Sequence, residues 1–155
     1  MEYILDESAL AYMLEVFPRN AVPELFDRFS DRCEDGCVIC EKETKKSMNS
    51  VLEEEFSYDW IKEHNKMFRT ITQKEASILG ELVDEGLFEN IRNSKDFVRN
   101  IPIAIPFIFS IAINENRTIV MSKKSKNYYY TKEICGKKGI VLLDVDGFLS
   151  QISSK

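Results

Sequence analysis

The chain of 155 residues lacks the motifs that several common enzyme classes require. It has one histidine, His64, with no evident serine or cysteine partner, so a nucleophilic triad is not expected. It has no G-x-x-x-x-G-K-[ST] and no G-x-G-x-x-G motif, which argues against a glycine-rich cradle for nucleotide phosphates. The net charge of −5 argues against a broad basic surface that coats nucleic acid. A nuclease stays compatible with that charge, because a carboxylate-lined metal site is itself negative.

Long hydrophobic runs are also missing. The longest uncharged run, IPIAIPFIFSIAI at 101–113, is shorter than the roughly 20 residues that span a bilayer. The N-terminal segment carries Glu2 and Asp6 where a signal peptide would carry positive charge. Four cysteines without an export signal favour free thiols in a reducing compartment. We therefore expect a cytoplasmic protein without membrane contact.

Three of the four cysteines form a C-x3-C-x2-C array, Cys33, Cys37 and Cys40, in the stretch DRCEDGCVIC. Radical-SAM enzymes hold an iron–sulfur cluster with this spacing, but they need a barrel of several βα units, and this chain has about four predicted strands. A zinc site that adds Cys135 lacks the paired C-x2-C knuckles typical of such sites. Val38 and Ile39 favour a strand, which would direct Cys37 and Cys40 to opposite faces. We interpret the thiols as core packing.

What is present is the composition of one globular domain spanning 1–155, with 44% hydrophobic and 30% charged residues. Apolar runs predict strands, and helical periodicity fills most of the intervals in the order β-α-α-β-α-α-α-α-β-β-α. The sequence therefore predicts an α/β fold, with a mainly parallel central sheet of about four strands flanked by helices. The predicted strands are 3–5, 36–40, 117–122 and 139–144, the last two buried on both faces.

Local signals place several helix boundaries. Ser8 is a candidate N-cap, Pro23 suits the first turn of a helix, and Thr72 is a candidate N-cap for a helix over 73–91. The segment 57–68 places Phe68 at helical spacing from Trp60, so one helix is predicted there. The apolar run 103–114 is predicted to be a central helix because strands rarely extend that far.

Several short motifs follow one another along the chain in an order that one protein family shares. Asp6 ends the first strand and precedes Ser8 and a helix, which is similar to the D-x-[ST/N] start of that family. A second strand then leads into an acidic helix start, a helix with a central Trp follows, and IPFIFSIAI resembles the D-P-[FW]-[LI]-I-A-x-A helix. IVMSKKS matches the strand that ends in T-x-E, and YTKEICGKKGIVLLD the last strand. In this order the chain resembles the compact PIN-like domains of prokaryotic and phage genomes. The resemblance covers nearly the whole chain and implies a three-layer sandwich.

The resemblance also implies a metal-dependent nuclease site. Such nucleases gather carboxylates around Mg²⁺ or Mn²⁺, which activates water and stabilises charge on the phosphate. Asp6, Glu41 and Glu43 are then the candidate catalytic acids. Asp6 and Asp144 are the candidate metal ligands, and Asp144 corresponds to no ligand of the family pattern.

Several acids of the family pattern are replaced. Ile105 stands where the helix-opening Asp belongs, and Lys124 stands where the T-x-E acid belongs. The acid of the second-strand helix aligns with Lys45 or Lys46. Since few hard oxygen ligands remain, we expect no cofactor unless the site is active.

Lysines concentrate instead near the same positions. Lys45, Lys46, Lys123, Lys124 and Lys126, beside the NYYY stretch, would form a basic and aromatic patch able to hold phosphate and stack bases, with Tyr128 as a stacking residue. The alternative is a solvated loop with tyrosines packed beneath it.

Three functions are compatible with these features. The first is a degenerate PIN-like module that binds nucleic acid or a protein without cutting, and the second is an active toxin- or defence-type ribonuclease that uses Asp6 with Glu41, Glu43 or Asp144. The third is an interaction or inhibitor protein of a mobile element. The expected partner is RNA or a protein, either antitoxin-like or a host factor, and a homodimer stays open.

Overall fold

A computed structural model describes residues 1–88 and 104–154 of the chain. Its centre is a five-stranded sheet in which all neighbouring strands are parallel, in the order β3-β2-β1-β4-β5. The α/β class and the parallel sheet predicted from the sequence are thereby confirmed. The strands are β1 (Tyr3–Leu5), β2 (Val38–Glu41), β3 (Phe68–Arg69), β4 (Thr118–Val120) and β5 (Leu142–Leu143).

Eight α-helices cover the two faces of the sheet within the described residues. In this part of the chain no helix combines the length and the apolar character needed to cross a bilayer. The helices are α1 (Glu7–Ala11), α2 (Pro23–Glu34), α3 (Lys42–Met48), α4 (Glu55–Glu63), α5 (Gln73–Asp84), α6 (Ala104–Glu115), α7 (Tyr128–Lys138) and α8 (Val145–Ser153).

Alternation along the strands divides the core into two clusters. Tyr3 and Leu5 of β1 pack with α1, α2, α4 and α8 on one face of the sheet. Ile4, which points the other way, packs with α5, α6 and α7 on the opposite face. Because helices cover both faces of the sheet, the molecule has three layers and the central strand β1 is apolar throughout.

The side on which the chain adds strands to the sheet reverses at β1. From β1 the chain adds β2 and β3 on one side, and it then crosses back to add β4 and β5 on the other side. Leu5 of β1 is in register with Cys40 of β2 and with Val120 of β4. The carboxyl ends of these strands therefore meet at one edge, with the two halves of the sheet diverging between β1 and β4.

Strand β3 was not predicted. Helix α4 ends at Glu63, His64 is its C-cap, and a 3₁₀ turn at Asn65–Met67 leads into the strand. Phe68 therefore lies in the sheet, and the prediction of one continuous helix over 57–68 is wrong. A two-residue strand leaves no alternation to detect in the sequence.

Helix α7 was also missed. The prediction passed directly from the strand at 117–122 to the strand at 139–144, whereas parallel neighbours need a crossover connection. The structure supplies it as Tyr128–Lys138, which ends at Gly139 in the left-handed conformation with φ 67°. The last strand is also shorter than predicted, and it is half-buried because β5 lies at the sheet edge.

Helix boundaries agree with the sequence in several places. Thr72 caps α5 in a full capping box with Glu75, and Pro23 occupies the first turn of α2. The apolar run is observed as α6, while Ile103 and the segment 89–91 lie outside the described residues. Ser8, however, is not the N-cap of α1, because Asp6 has that role. Helix α1 continues as a π-helical segment, Tyr12–Val16.

The cysteines are free thiols. Cys33 and Cys40 are buried in the cluster beneath α2, whereas Cys135 is buried in the cluster on the opposite face. A metal site that combines them with Cys135 is therefore not formed. The expectation that Cys37 and Cys40 point to opposite faces is wrong, because Cys37 precedes β2 and packs against the same cluster as Cys40.

An ion pair anchors β3 to the helical layer. Arg69 Nη1 and Nη2 donate to Glu75 Oε1 and Oε2 at 2.9 and 2.6 Å, and Arg69 Nη2 lies 3.0 Å from Glu115 Oε2. Glu75 is fully buried, and its carboxylate also accepts from Thr72 N and Asn114 Nδ2. Burial raises the pKa of Glu75, but the hydrogen bonds from Arg69 and its other donors outweigh it and hold the pKa at about 2.

Replacing Glu75 by glutamine is expected to lower the free energy of unfolding by about 2 to 3 kcal/mol. The change removes one partner of a buried pair and leaves Arg69 with Glu115 as its acidic partner and Thr70 O as a further acceptor. Urea denaturation near neutral pH measures the loss. Glu43→Gln is the matched control, because its pair with Lys46 is solvent-exposed and contributes less than about 1 kcal/mol. Equal losses in the two variants would contradict the anchoring role of Glu75.

Candidate functional site

Asp6 lies at the carboxyl end of β1 and caps α1. Its Oδ1 accepts from Ala9 N at 2.9 Å, and Ser8 Oγ donates to Oδ1 and Oδ2 at 2.7 and 2.9 Å. Ser8 Oγ in turn accepts from Ser122 N at 3.0 Å, which ties the segment after β4 to the end of β1. Asp6 is buried, and burial raises its pKa to about 6 against these hydrogen bonds.

Glu41 repeats this arrangement on the neighbouring strand. It is the last residue of β2 and the N-cap of α3, where its Oε2 accepts from Glu43 N at 2.6 Å. Glu41 is buried, and burial raises its pKa to about 7. Glu43 is directed elsewhere, since its Oε1 pairs with Lys46 Nζ at 3.1 Å. Asp6 and Glu41 follow paired residues, so their backbones are about one strand spacing, ~4.8 Å, apart.

Asp144 caps the last helix. Its Oδ1 accepts from Gly147 N at 2.7 Å, and its Oδ2 lies 3.2 Å from Lys123 Nζ. The hydrogen bond from Gly147 is the first cause of its lowered pKa, and Lys123 adds to it. The register of β1, β4 and β5 places Met121 between Asp6 and Asp144, so their backbones are about two strand spacings, ~10 Å, apart.

The structure therefore separates the acids that the sequence grouped. Asp6 and Glu41 are neighbours, whereas Asp144 lies beyond β4, and each of the three side chains caps its own helix. Within residues 1–88 and 104–154, no group of three or more His, Cys, Asp or Glu side chains is placed to hold a metal ion.

A cleft of about 560 Å³ opens at this edge of the sheet. Its lining comes from the residues after β1, the end of α3 and the residues that follow it, the start of α6, and the segment after β4. Among the described residues it is lined by Asp6, Glu7, Ser8, Ser47, Ser50, Val51, Ala104, Ile105, Ile108, Lys124, Ser125, Lys126 and Asn127.

The lining of the cleft combines two kinds of side chain. Lys124 and Lys126 contribute positive charge, and Val51, Ile105 and Ile108 contribute apolar surface. Local hydrogen bonds order the segment that carries the lysines: Lys124 N donates to Ser122 Oγ, and Asn127 N donates to Ser125 Oγ, both at 3.2 Å. The cleft thus offers contacts both to an anionic group and to an apolar or flat group.

The predicted lysine patch is divided among three places. Lys124 and Lys126 line the cleft, and Lys123 stands beside Asp144 toward the β5 side. Lys45 donates to Asn65 Oδ1 and lies 5.9 Å from the Phe68 ring, next to β3, while Lys46 pairs with Glu43. Of the five candidate lysines, Lys124 and Lys126 are the two that line the cleft together with Asp6.

The tyrosines of NYYY are in the first turn of α7, not in a loop. Tyr128 is 7% exposed and has little surface to offer a base, whereas Tyr129 is 73% exposed. Sequence reasoning chose Tyr128 because the helix was missed. The buried residues of α7 are spaced as on one face of a helix, and they are Tyr128, Thr131, Ile134 and Cys135. This spacing is visible in the sequence and would have predicted that Tyr128 is buried.

No protein-family model matches this chain, and no curated protein matches its sequence.

Replacing Asp6 by asparagine is expected to change how stability depends on pH. Between about pH 4 and pH 6 the native state keeps a proton on Asp6 that the unfolded state has released, so the free energy of unfolding falls as pH rises through this window. The shift from 3.8 to about 6 corresponds to about 3 kcal/mol. Asparagine can still cap the helix and does not ionise. The free energy of unfolding of the variant, relative to that of the native protein, should therefore rise by about this amount between about pH 4 and pH 7. Urea denaturation across this range measures the gain.

Asp144→Asn is the control, because its effect on the free energy of unfolding should change with pH in the opposite direction. The pKa of Asp144 is lowered, so its contribution is present above its ordinary pKa of 3.8 and is lost as pH falls below it. The asparagine variant at this position should therefore lose stability relative to the native protein as pH rises. A pH-independent difference at Asp6 would contradict the raised pKa.

Proposed function

We propose that this chain is a degenerate PIN-like module that binds RNA in the cleft at the carboxyl edge of the sheet and does not cut it. The observation that carries the proposal is the cleft itself, whose lining combines Lys124 and Lys126 with Asp6 and with the apolar side chains of Val51, Ile105 and Ile108. A phosphate suits the lysines, and a ribose or base suits the apolar side chains. The volume of about 560 Å³ is within the range of small-ligand sites.

The position of the cleft supports ligand binding. In open parallel sheets, ligands bind outside the carboxyl ends of the strands, at the point where the strand order reverses. Here the reversal lies between β1 and β4. Asp6 follows β1, and the segment with Lys124 and Lys126 follows β4, so the cleft lies at this point.

The distribution of charge supports an anionic ligand. The segment 123–126, which leads into the cleft, has three basic residues and no acidic residue, although the whole chain has a net charge of −5. A local basic surface on an acidic chain attracts a phosphodiester to one place and leaves the remaining surface unfavourable for it. This pattern favours a defined site over general coating of nucleic acid.

The residues at the cleft do not fit a two-metal or one-metal nuclease centre. Ile105, which has no ligand atom, and Lys124, which repels a cation, occupy positions that the resemblance assigns to acids. Asp6 and Glu41 are the acids on adjacent strands, and each accepts hydrogen bonds from a helix N-terminus. Mg²⁺ and Mn²⁺ need hard oxygen ligands, and the two lysines favour a bound phosphate over a bound cation.

The double variant Lys124→Ala/Lys126→Ala is expected to weaken the binding of single-stranded RNA about ten-fold at low salt. Each lysine that contacts phosphate contributes about 0.7 to the slope of log K against log salt, so the slope should fall by about 1.4. Fluorescence anisotropy with a labelled oligomer across a salt series measures both quantities.

Lys137→Ala/Lys138→Ala is the charge-matched control. These lysines lie at the other end of the 11-residue helix α7, about 15 Å from its first turn, so their loss should leave affinity nearly unchanged. Equal effects of the two double variants would indicate nonspecific attraction and contradict a defined site.

The same preparations separate the competing functions. Cleavage of the RNA with added Mg²⁺ or Mn²⁺, lost in Asp6→Ala, would overturn the proposal in favour of a metal-dependent ribonuclease. Absence of RNA binding at low salt would overturn it in favour of a protein-binding module.

A further inference from the structure

We infer that a groove between α2 and α4 is a docking site for a short basic segment of another protein that carries an apolar side chain as its anchor. The groove has a volume of about 400 Å³ and lies on the face of the sheet that α2 and α4 cover. It shares no lining residue with the cleft that contains Lys124 and Lys126. The inference therefore goes beyond the proposed RNA binding and does not depend on it.

Each of the two helices contributes one face to the groove, because the lining residues recur every three or four positions. The lining runs from Pro23 to Ser30 on α2 and from Phe56 to Glu63 on α4. Each stretch covers about two helical turns, or about 10 Å. The groove is therefore long enough for about three extended residues or about two turns of a helix.

Aromatic rings form the buried part of the lining. Phe26 and Trp60 are buried, and Phe56 is half-buried. The ring centroids of Phe26 and Phe56 are 5.9 Å apart, and Trp60 Nε1 donates to Ser30 Oγ at 3.2 Å, so both contacts join α2 to α4. Because these rings are already fixed by packing, an apolar side chain that contacts them costs the protein little side-chain entropy.

The lining side chains that can carry positive charge are paired with acids outside the groove. The guanidinium carbon of Arg19 lies 3.6 Å from the centroid of the Phe56 ring, and Arg19 Nη1 is 3.7 Å from Glu54 Oε2. His64 Nε2 lies 3.4 Å from Glu34 Oε1. These positive groups therefore do not neutralise the acids that line the groove.

The acids of the lining, Asp27 and Glu63, lack such partners. Both are exposed, and within residues 1–88 and 104–154 neither carboxylate has an ion pair or a hydrogen bond. Helices α2 and α4 together carry seven acidic and three basic residues, so the surrounding surface is also negative. The groove thus offers negative charge beside buried aromatic rings, and a cationic ligand complements that charge.

A basic segment with an apolar anchor matches both features of the groove. Its cations pair with Asp27 and Glu63, while the anchor and the methylene stems of its lysines or arginines contact the rings. An anionic ligand is repelled by the same carboxylates. An uncharged apolar segment leaves the carboxylates without partners and gains nothing from their charge.

The test uses two labelled peptides of equal charge, Arg-Lys-Leu-Leu-Lys-Arg and Arg-Lys-Gly-Gly-Lys-Arg. Fluorescence anisotropy measures their binding to the full chain at about 20 mM salt, where charges are weakly screened. The native protein should bind the leucine peptide more tightly by about five-fold or more, because leucine buries apolar surface against the rings and glycine does not.

The double variant Asp27→Asn/Glu63→Gln should weaken the binding of the leucine peptide about ten-fold, because it removes both unpaired charges of the lining. Asp31→Asn/Asp59→Asn is the matched control. It removes one exposed carboxylate from each of the same helices, and neither residue lines the groove, so affinity should change less than about two-fold. All four side chains are exposed, so both variants should keep the fold, which circular dichroism checks.

Three results with the peptides would overturn the inference. They are equal affinity for the two peptides, equal effects of the two double variants, and no binding of the leucine peptide to the native protein. Self-association of the native chain without peptide, lost in Asp27→Asn/Glu63→Gln, would overturn it in favour of a second copy of the chain as the occupant. RNA binding is tested separately by the Lys124→Ala/Lys126→Ala variant, so failure of one proposal is distinguishable from failure of the other.

Discussion

The structure depends on carboxylates that end strands and cap the helices that follow. Asp6, Glu41 and Asp144 each lie directly after or at the end of a strand, and each accepts a hydrogen bond from the first turn of a helix. Such caps satisfy backbone N–H groups that would otherwise lack partners, and each is worth about 1 kcal/mol. They also set the angle at which the chain leaves the sheet. The whole carboxyl edge is therefore shaped by three side chains that have structural work at the place where a ligand is expected.

That constraint decides which chemistry the edge can carry. A carboxylate that accepts from a helix N-terminus has fewer lone pairs to offer a cation, and burial of Asp6 and Glu41 raises their pKa values. The cleft beside Asp6 has Lys124 and Ile105 in its lining. Because a lysine suits a phosphate and an isoleucine suits a flat or apolar group, binding without hydrolysis is the function proposed for this cleft.

The sequence predicted the parts of the fold that depend on local pattern. Strands β1 and β2, the cap at Thr72 and the helix α6 follow from apolar runs, capping residues and helical periodicity within a few positions. Strand β3 was missed because Phe68 and Arg69 are in the sheet through pairing with Cys40 and Glu41 and through the contact of Arg69 with Glu75. Helix α7 was missed because lysines and tyrosines mask its weak periodicity. Because α7 was missing from the prediction, Tyr128 was wrongly assigned to a surface patch.

By itself the sequence determined the α/β class, the parallel strands and the acids at their ends, since these depend on apolar patterning and on residues that act within one turn. Only the tertiary structure decided which of those acids are neighbours. Asp6 and Glu41 lie on adjacent strands, and Asp144 lies beyond β4, because strand order is set by packing across the sheet. The same long-range packing brought Lys124 and Lys126 into one cleft with Ile105 and left Tyr129 exposed. Residues far apart in the chain share a cleft only when the sheet assembles, so no local pattern could have placed them there.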